Sequence, residues 1–329
     1  MRLFSTMARP LPRTALFLGL FLGMLVLGGC AVQTRALREQ PPADLPRAAE
    51  LEQTPFFAQT AYQCGPAALA TVLAAIGLPA DPQRLAEQVF LPARTGTLQV
   101  EMVAGARRQG AVATRLPTTL LALLREVQAG HPVVVLENRG LSWAPLWHYA
   151  VLVGYDIDGG EVVLRSGTTR REAMLMRTFE HTWARAGAWA FVASPPGQWP
   201  ATADEKAMVE ASVAFERGAP PAQAVAVYRS ALQRWPDSLS LRMGLGNSLY
   251  AAGDKPAAAD AFRAAAQAHH SAAAWINLAG TLVELGAAAD AVQAAREAVA
   301  TGDPLWQGQA QEALQSALRA AGQGAAPPS

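Results

Sequence analysis

Two side chains in this sequence have the types and settings of a nucleophile and its base. Cys64 opens the segment Cys64-Gly65-Pro66-Ala67-Ala68-Leu69, where a long apolar run begins. His148 opens His148-Tyr149-Ala150-Val151-Leu152-Val153-Gly154-Tyr155-Asp156, a run rich in β-formers. A helix N-terminus carries partial positive charge and free N–H groups, which favour a thiolate over a thiol. An imidazole beside it can take the thiol proton and later return it to a leaving amine. The bland alternatives are a small buried cysteine at a helix start and a satisfied core histidine.

Positioning these groups needs a helix and a sheet, and the surrounding chain offers both. Gly65 to Leu78 is apolar nearly all round, which predicts a buried helix. Asp81-Pro82 is an N-cap followed by proline at the first helical position, opening a helix to about Phe90. Two more helices are expected near Leu98 to Arg108 and near Thr119 to Ala129. Then Val133 to Leu136, Tyr149 to Tyr155, Val162 to Leu164 and Trp189 to Ala193 form short β-branched or aromatic runs punctuated by Gly, Pro and Asp. These predict strands of an antiparallel sheet. Helices first and strands second give an α+β domain over residues 51–195. Trp143, Trp147, Trp183 and Trp189 are expected in the core, with a substrate cleft as the alternative.

There are only two cysteines, which excludes a cysteine-built zinc site and a disulfide scaffold. No metal or cofactor is expected. Cys30 has its own explanation. Arg2, Arg9 and Arg13 precede an unbroken apolar run from Ala15 to Leu27, short for a membrane span and of the right length for a signal-peptide core. Leu27-Gly28-Gly29-Cys30 resembles the bacterial lipobox. That resemblance implies a lipoprotein signal over 1–30 and acyl chains on Cys30 that attach the protein to a membrane. Each buried CH₂ contributes about 0.8 kcal/mol, so more than one chain gives stable anchoring. Ala31 rather than Asp follows, which by the same resemblance implies the outer membrane, facing the periplasm. An ordinary secretory signal or a single anchor helix is the competing reading. Residues 31–50, with Pro41, Pro42 and Pro46, read as a flexible or extended linker. Cys64 is then an unpaired thiol in an oxidising compartment, which favours a reactive role.

Gln59 to Leu69, taken with His148 to Asp156, resembles the bacteriocin-processing, double-glycine-leader peptidase group and its relatives. The resemblance implies a papain-like cysteine peptidase domain. It implies Cys64 as nucleophile, His148 as base, and Gln59 with the Cys64 N–H as oxyanion donors. Gln63 is the lesser oxyanion candidate. The family usually carries Asp or Asn at the end of the strand after the histidine. Here that stretch is Val163-Leu164-Arg165-Ser166-Gly167-Thr168, with neither. Ser166 is left as a possible, uncharged orienter of His148. Asp156 and Asp158 fall in the turn between strands, expected too far away.

Pro195, Pro196, Gly197 and Pro200 mark a linker over 196–205. Beyond it, positions recur every 33 to 34 residues. Ala224, Tyr228 and Ala231 align with Ala258, Phe262 and Ala265, then with Ala291, Ala295 and Ala298. Leu245, Gly246 and Leu249 align with Leu278, Ala279 and Leu282. The pattern resembles tetratricopeptide repeats, about three over 206–322, an all-α domain whose concave face binds a protein partner. Residues 323–329 read as a disordered tail. A net charge of +1, without a basic patch, gives no ground for nucleic acid. The expected function is a membrane-anchored periplasmic thiol peptidase acting on a peptide or protein substrate. The alternative is a non-catalytic scaffold that keeps the fold for binding.

Overall fold

The computed structural model describes residues 31–58, 63–94 and 96–324. Its first elements are Val32–Glu39 (α1) and Ala48–Glu50 (β1). Residues 31–50 are therefore not the linker that their prolines suggest. Leu37 and Leu45 are buried in the domain. The Glu180 carboxylate accepts the Gln33 and Thr34 N–H groups at 3.0 and 2.7 Å, satisfying donors that a first helical turn leaves open. The prolines lie between α1 and β1, where they interrupt neither.

Next come Cys64–Ala75 (α2), Pro82–Val89 (α3), Phe90–Leu91 (β2), Gly96–Thr97 (β3), Gln99–Arg108 (α4) and Val112–Arg115 (β4). Leu120–Gln128 (α5), Val133–Asn138 (β5), Trp147–Asp156 (β6), Glu161–Ser166 (β7), Thr169–Leu175 (β8), Met176–Ala184 (α6) and Ala190–Ser194 (β9) complete the domain. The pair β2–β3 stands apart; the other strands form a seven-stranded antiparallel sheet in the order β4-β9-β5-β6-β7-β8. One edge of β6 is shared: β5 pairs with Trp147 to Leu152, and β1 with Gly154 to Asp156.

Successive strand side chains point to opposite faces, and here both faces are covered. Val134, Leu136, Tyr149 and Val151 pack with Leu69, Leu73, Leu85 and Met102 from α2, α3 and α4. Val133, Val135, Ala150 and Leu152 pack with Leu120, Leu124, Phe179 and Trp183 from α5 and α6. Burial on both sides explains why these strands read as continuous apolar runs. Each fully buried leucine contributes roughly 1.5–3 kcal/mol.

The chain ends in helices: Glu205–Glu216 (α7), Pro221–Arg234 (α8), Leu239–Ala251 (α9), Lys255–His269 (α10), Ala272–Glu284 (α11), Ala288–Ala300 (α12) and Gln307–Gly324 (α13). Asp204, Ser238, Asp254 and Ser271 cap α7, α9, α10 and α11 through their side chains. Small residues set the helix contacts. A Cβ on Gly246 would lie 2.4 Å from the Phe262 ring, and one on Gly244 would lie 2.3 Å from the Tyr228 ring. Residues 323 and 324 finish α13, and 325–329 lie outside the described residues.

Candidate active site

Cys64 is the first residue of α2, half-buried and with a free thiol. Gly65 fixes its surroundings: a Cβ there would meet Thr97 Oγ1 at 2.7 Å and Thr97 Cβ at 2.8 Å. Only glycine lets β3 lie against the first turn. Tyr149, buried on β6, donates its hydroxyl to the Thr97 carbonyl at 3.1 Å. Burial first, and the neighbouring Cys64 second, push the Tyr149 phenol above its ordinary range. The thiol therefore sits where α2, β3 and the start of β6 meet.

His148 precedes Tyr149 on β6 and lies opposite Glu137 of β5. Its Nε2 is 2.9 Å from Ser166 Oγ at the end of β7. Arg139 links the group: its Nη2 donates to Ser166 Oγ at 3.2 Å, to Glu137 Oε2 at 2.9 Å and to Glu172 Oε2 at 3.1 Å. Glu137, fully buried, also accepts from Thr182 Oγ1 at 2.7 Å. Burial, and then the Arg139 guanidinium, lower the His148 pKa to about 4, with Glu172 opposing. The ring is neutral at pH 7. Burial alone would raise the Glu172 carboxyl, but the Ser166 hydroxyl and Arg139 outweigh it and hold the group below its usual range.

Glu172 and Arg139 are the members that sequence reasoning missed. Glu172 lies on β8, opposite Leu164 of β7. That strand is mostly exposed and polar, so it lacks the apolar signature that marked the others. Asp156 accepts from the Gly159 N–H, and Asp158 pairs with Arg47. Neither orients His148. No hydrogen bond joins Cys64 to His148 among the described residues. Gln59 and Cys30 lie outside the described residues. No group of three or more potential ligands suited to a metal occurs among the described residues.

The tryptophans divide. Trp183 and Trp189 are buried, as core packing requires. Trp143 is 83% exposed and Trp147 52%. With exposed Leu141 and Leu146 they form an apolar surface on the segment leading into His148.

Residues 51–191 match the model of the Peptidase C39-like family, and residues 208–271 and 243–305 match that of a tetratricopeptide repeat. Among solved structures, a Bacillus anthracis protein assigned as a C39-like peptidase aligns with 19% identity and a TM-score of 0.39. The alignment covers 45% of this chain and 98% of that one. Comparison with curated proteins gives no match. The chain thus joins an α+β Peptidase C39-like domain to C-terminal tetratricopeptide repeats.

Proposed function

We propose that the protein is a thiol peptidase, or a related amide hydrolase, working through Cys64 and His148. The observation that carries this reading is a free cysteine on the first turn of a buried helix packed against β6, the strand whose second residue is His148. Ser166 engages Nε2, so Nδ1 is the ring nitrogen available to the thiol. In this reading Ser166 Oγ accepts a hydrogen bond from Nε2–H and donates its own O–H to Glu172, which leaves Nδ1 unprotonated and able to act as base. The Cys64 proton passes to Nδ1 as sulfur bonds to the substrate carbonyl. It then passes to the amine as the C–N bond breaks, and water hydrolyses the thioester. Gln59 and the Cys64 N–H would hold the oxyanion. Catalytic hydrogen bonds often tighten only when substrate binds, so an unbonded thiol and ring are compatible with this role. The Trp143 and Trp147 surface suits a peptide with a bulky apolar residue near the scissile bond. The repeats would recruit that substrate or a partner, and acyl chains on Cys30 would hold the protein at the periplasmic face of the outer membrane. Among the described residues no helix is long and apolar enough to cross a membrane.

The competing reading is a scaffold without catalysis. Arg139 supports it, because a guanidinium beside His148 disfavours the imidazolium that a thiolate would pair with. A peptidyl electrophile separates the two. As an enzyme, the protein should form an adduct at Cys64 much faster than a free thiol does, and His148→Ala should abolish the advantage. An adduct rate equal to that of a model thiol, unchanged in His148→Ala, would leave the scaffold reading standing.

A further inference from the structure

Away from Cys64, a groove of about 540 Å³ runs between α1, the turn before β1 and the start of α6. Arg35, Arg38, Arg47 and Arg177 line it against two carboxylates, Glu39 and Asp158, which leaves it a net charge of +2. Arg35 pairs with Glu39, and Arg47 with Asp158. Arg38 reaches only the Asp158 carbonyl, at 3.4 Å, and Arg177 has no acidic partner among the described residues. Thr34 also lines the groove. It is 6% exposed, and its hydroxyl has no hydrogen-bond partner. A buried hydroxyl without a partner, in a groove with two guanidiniums that form no salt bridge among the described residues, suits a phosphate. Ala31 stands at the same groove, one residue after Cys30.

We propose that this groove binds the phosphate of an anionic glycerophospholipid headgroup and so seats α1 on the membrane. The proposal rests on reading Cys30 as the lipid-bearing residue. Because α1 is docked on the domain and not on a loose tether, acyl chains on Cys30 would bring the headgroup plane to this groove. Arginine forks match phosphate oxygens in pairs, and the attraction is short-ranged and salt-sensitive.

The test uses the full chain in neutral detergent, titrated with short-chain soluble phosphatidylglycerol, phosphatidylcholine or inorganic phosphate. Intact mass reads acylation of Cys30 separately. Saturable, salt-sensitive binding of phosphatidylglycerol is expected, with phosphatidylcholine and inorganic phosphate far weaker. Each guanidinium near an anionic surface contributes about fivefold, so Arg38→Gln with Arg177→Gln should weaken binding about 25-fold. Far-UV circular dichroism and Cys64 alkylation should stay as in the wild type. Inorganic phosphate binding as well as the lipid, no saturable lipid binding, or binding indifferent to the double variant would each overturn the proposal. An unacylated Cys30 would instead sink the anchor reading, whatever the groove binds.

Discussion

Lowering the pH should charge His148 only near pH 4, and doing so should cost the folded domain about 3 kcal/mol. The unfolded chain binds this proton near the ordinary value of about 6.5, whereas the folded one binds it at about 4. Because the folded pKa is depressed, the contribution is fully present above pH 6.5 and is lost progressively as pH falls toward 4. A separation of about 2.5 pH units at about 1.4 kcal/mol each gives the magnitude. Proton NMR of the histidine rings reads it directly. The chain has five histidines, and His148→Gln assigns the one that matters. Its resonance should move near pH 4, while urea unfolding of the wild type should lose about 3 kcal/mol more than His148→Gln between pH 7 and pH 4. Arg139→Gln should raise the midpoint and still leave it below 6.5, because burial is the larger cause. A ring that titrates near 6.5 in the folded wild type would refute the reasoning. It would mean that the Ser166–Arg139–Glu137–Glu172 cluster does not enclose it.

Ser166→Ala should remove the hydroxyl on Nε2 and lower kcat about fivefold, the equivalent of one net hydrogen bond of about 1 kcal/mol, with KM little changed. Gly246→Ala should destabilise the repeats by about 1–3 kcal/mol in urea unfolding, since its Cβ would enter the Phe262 ring. Gly280→Ala, in the interior of α11 with open space around it, should instead stabilise them by up to about 1 kcal/mol. Trp143→Ala should raise KM for peptides with bulky apolar residues and leave the melting temperature unchanged, because the ring packs on nothing that holds the fold.

The elements that position Cys64 and His148 were legible because their signals are local. The apolar composition of Gly65 to Leu78 forecasts α2, and Asp81-Pro82 forecasts α3, whose cap indeed accepts from Gln83 N and Arg84 N. The elements that were not legible depend on distant partners. Helix α1 has two buried side chains, and its N-terminus is completed by Glu180, far along the chain. Strand β1 is three residues long and exists because β6 runs past the end of β5. Strand β8 is mostly exposed, so no apolar alternation announced it. The His148 environment follows the same division. Ser166 lies just beyond a readable strand and could be named from its position. Arg139 and Glu172 enter through the loop after β5 and through the unread β8, so the charge around the ring became visible only with the sheet register.

The junction between the two halves runs through 196–204, a stretch without helix or strand that hydrogen bonds hold in place. Glu126 on α5 is fully buried, a position that a carboxylate holds only with its oxygens occupied. It accepts Ala201 N at 3.0 Å and Thr202 N at 2.7 Å, and its Oε2 lies 2.7 Å from His131 Nδ1. Burial alone would raise its pKa, but these hydrogen bonds win and lower it. The group therefore contributes stability that is present above its ordinary pKa and lost as pH falls through the depressed one. Just beyond, Met208, Ala211 and Phe215 of α7 pack with Val112 of β4, the terminal strand of the sheet. One helix thus serves both as the first of the repeats and as cover for the end of the peptidase-like sheet. Prolines at 195, 196 and 200 mark a change of direction, and the buried carboxylate fixes where the chain goes next. Cutting the chain there would leave Glu126 without its backbone donors and expose apolar surface on both pieces. The first repeat is thus joined to the sheet that carries His148 through a packed contact at its terminal strand.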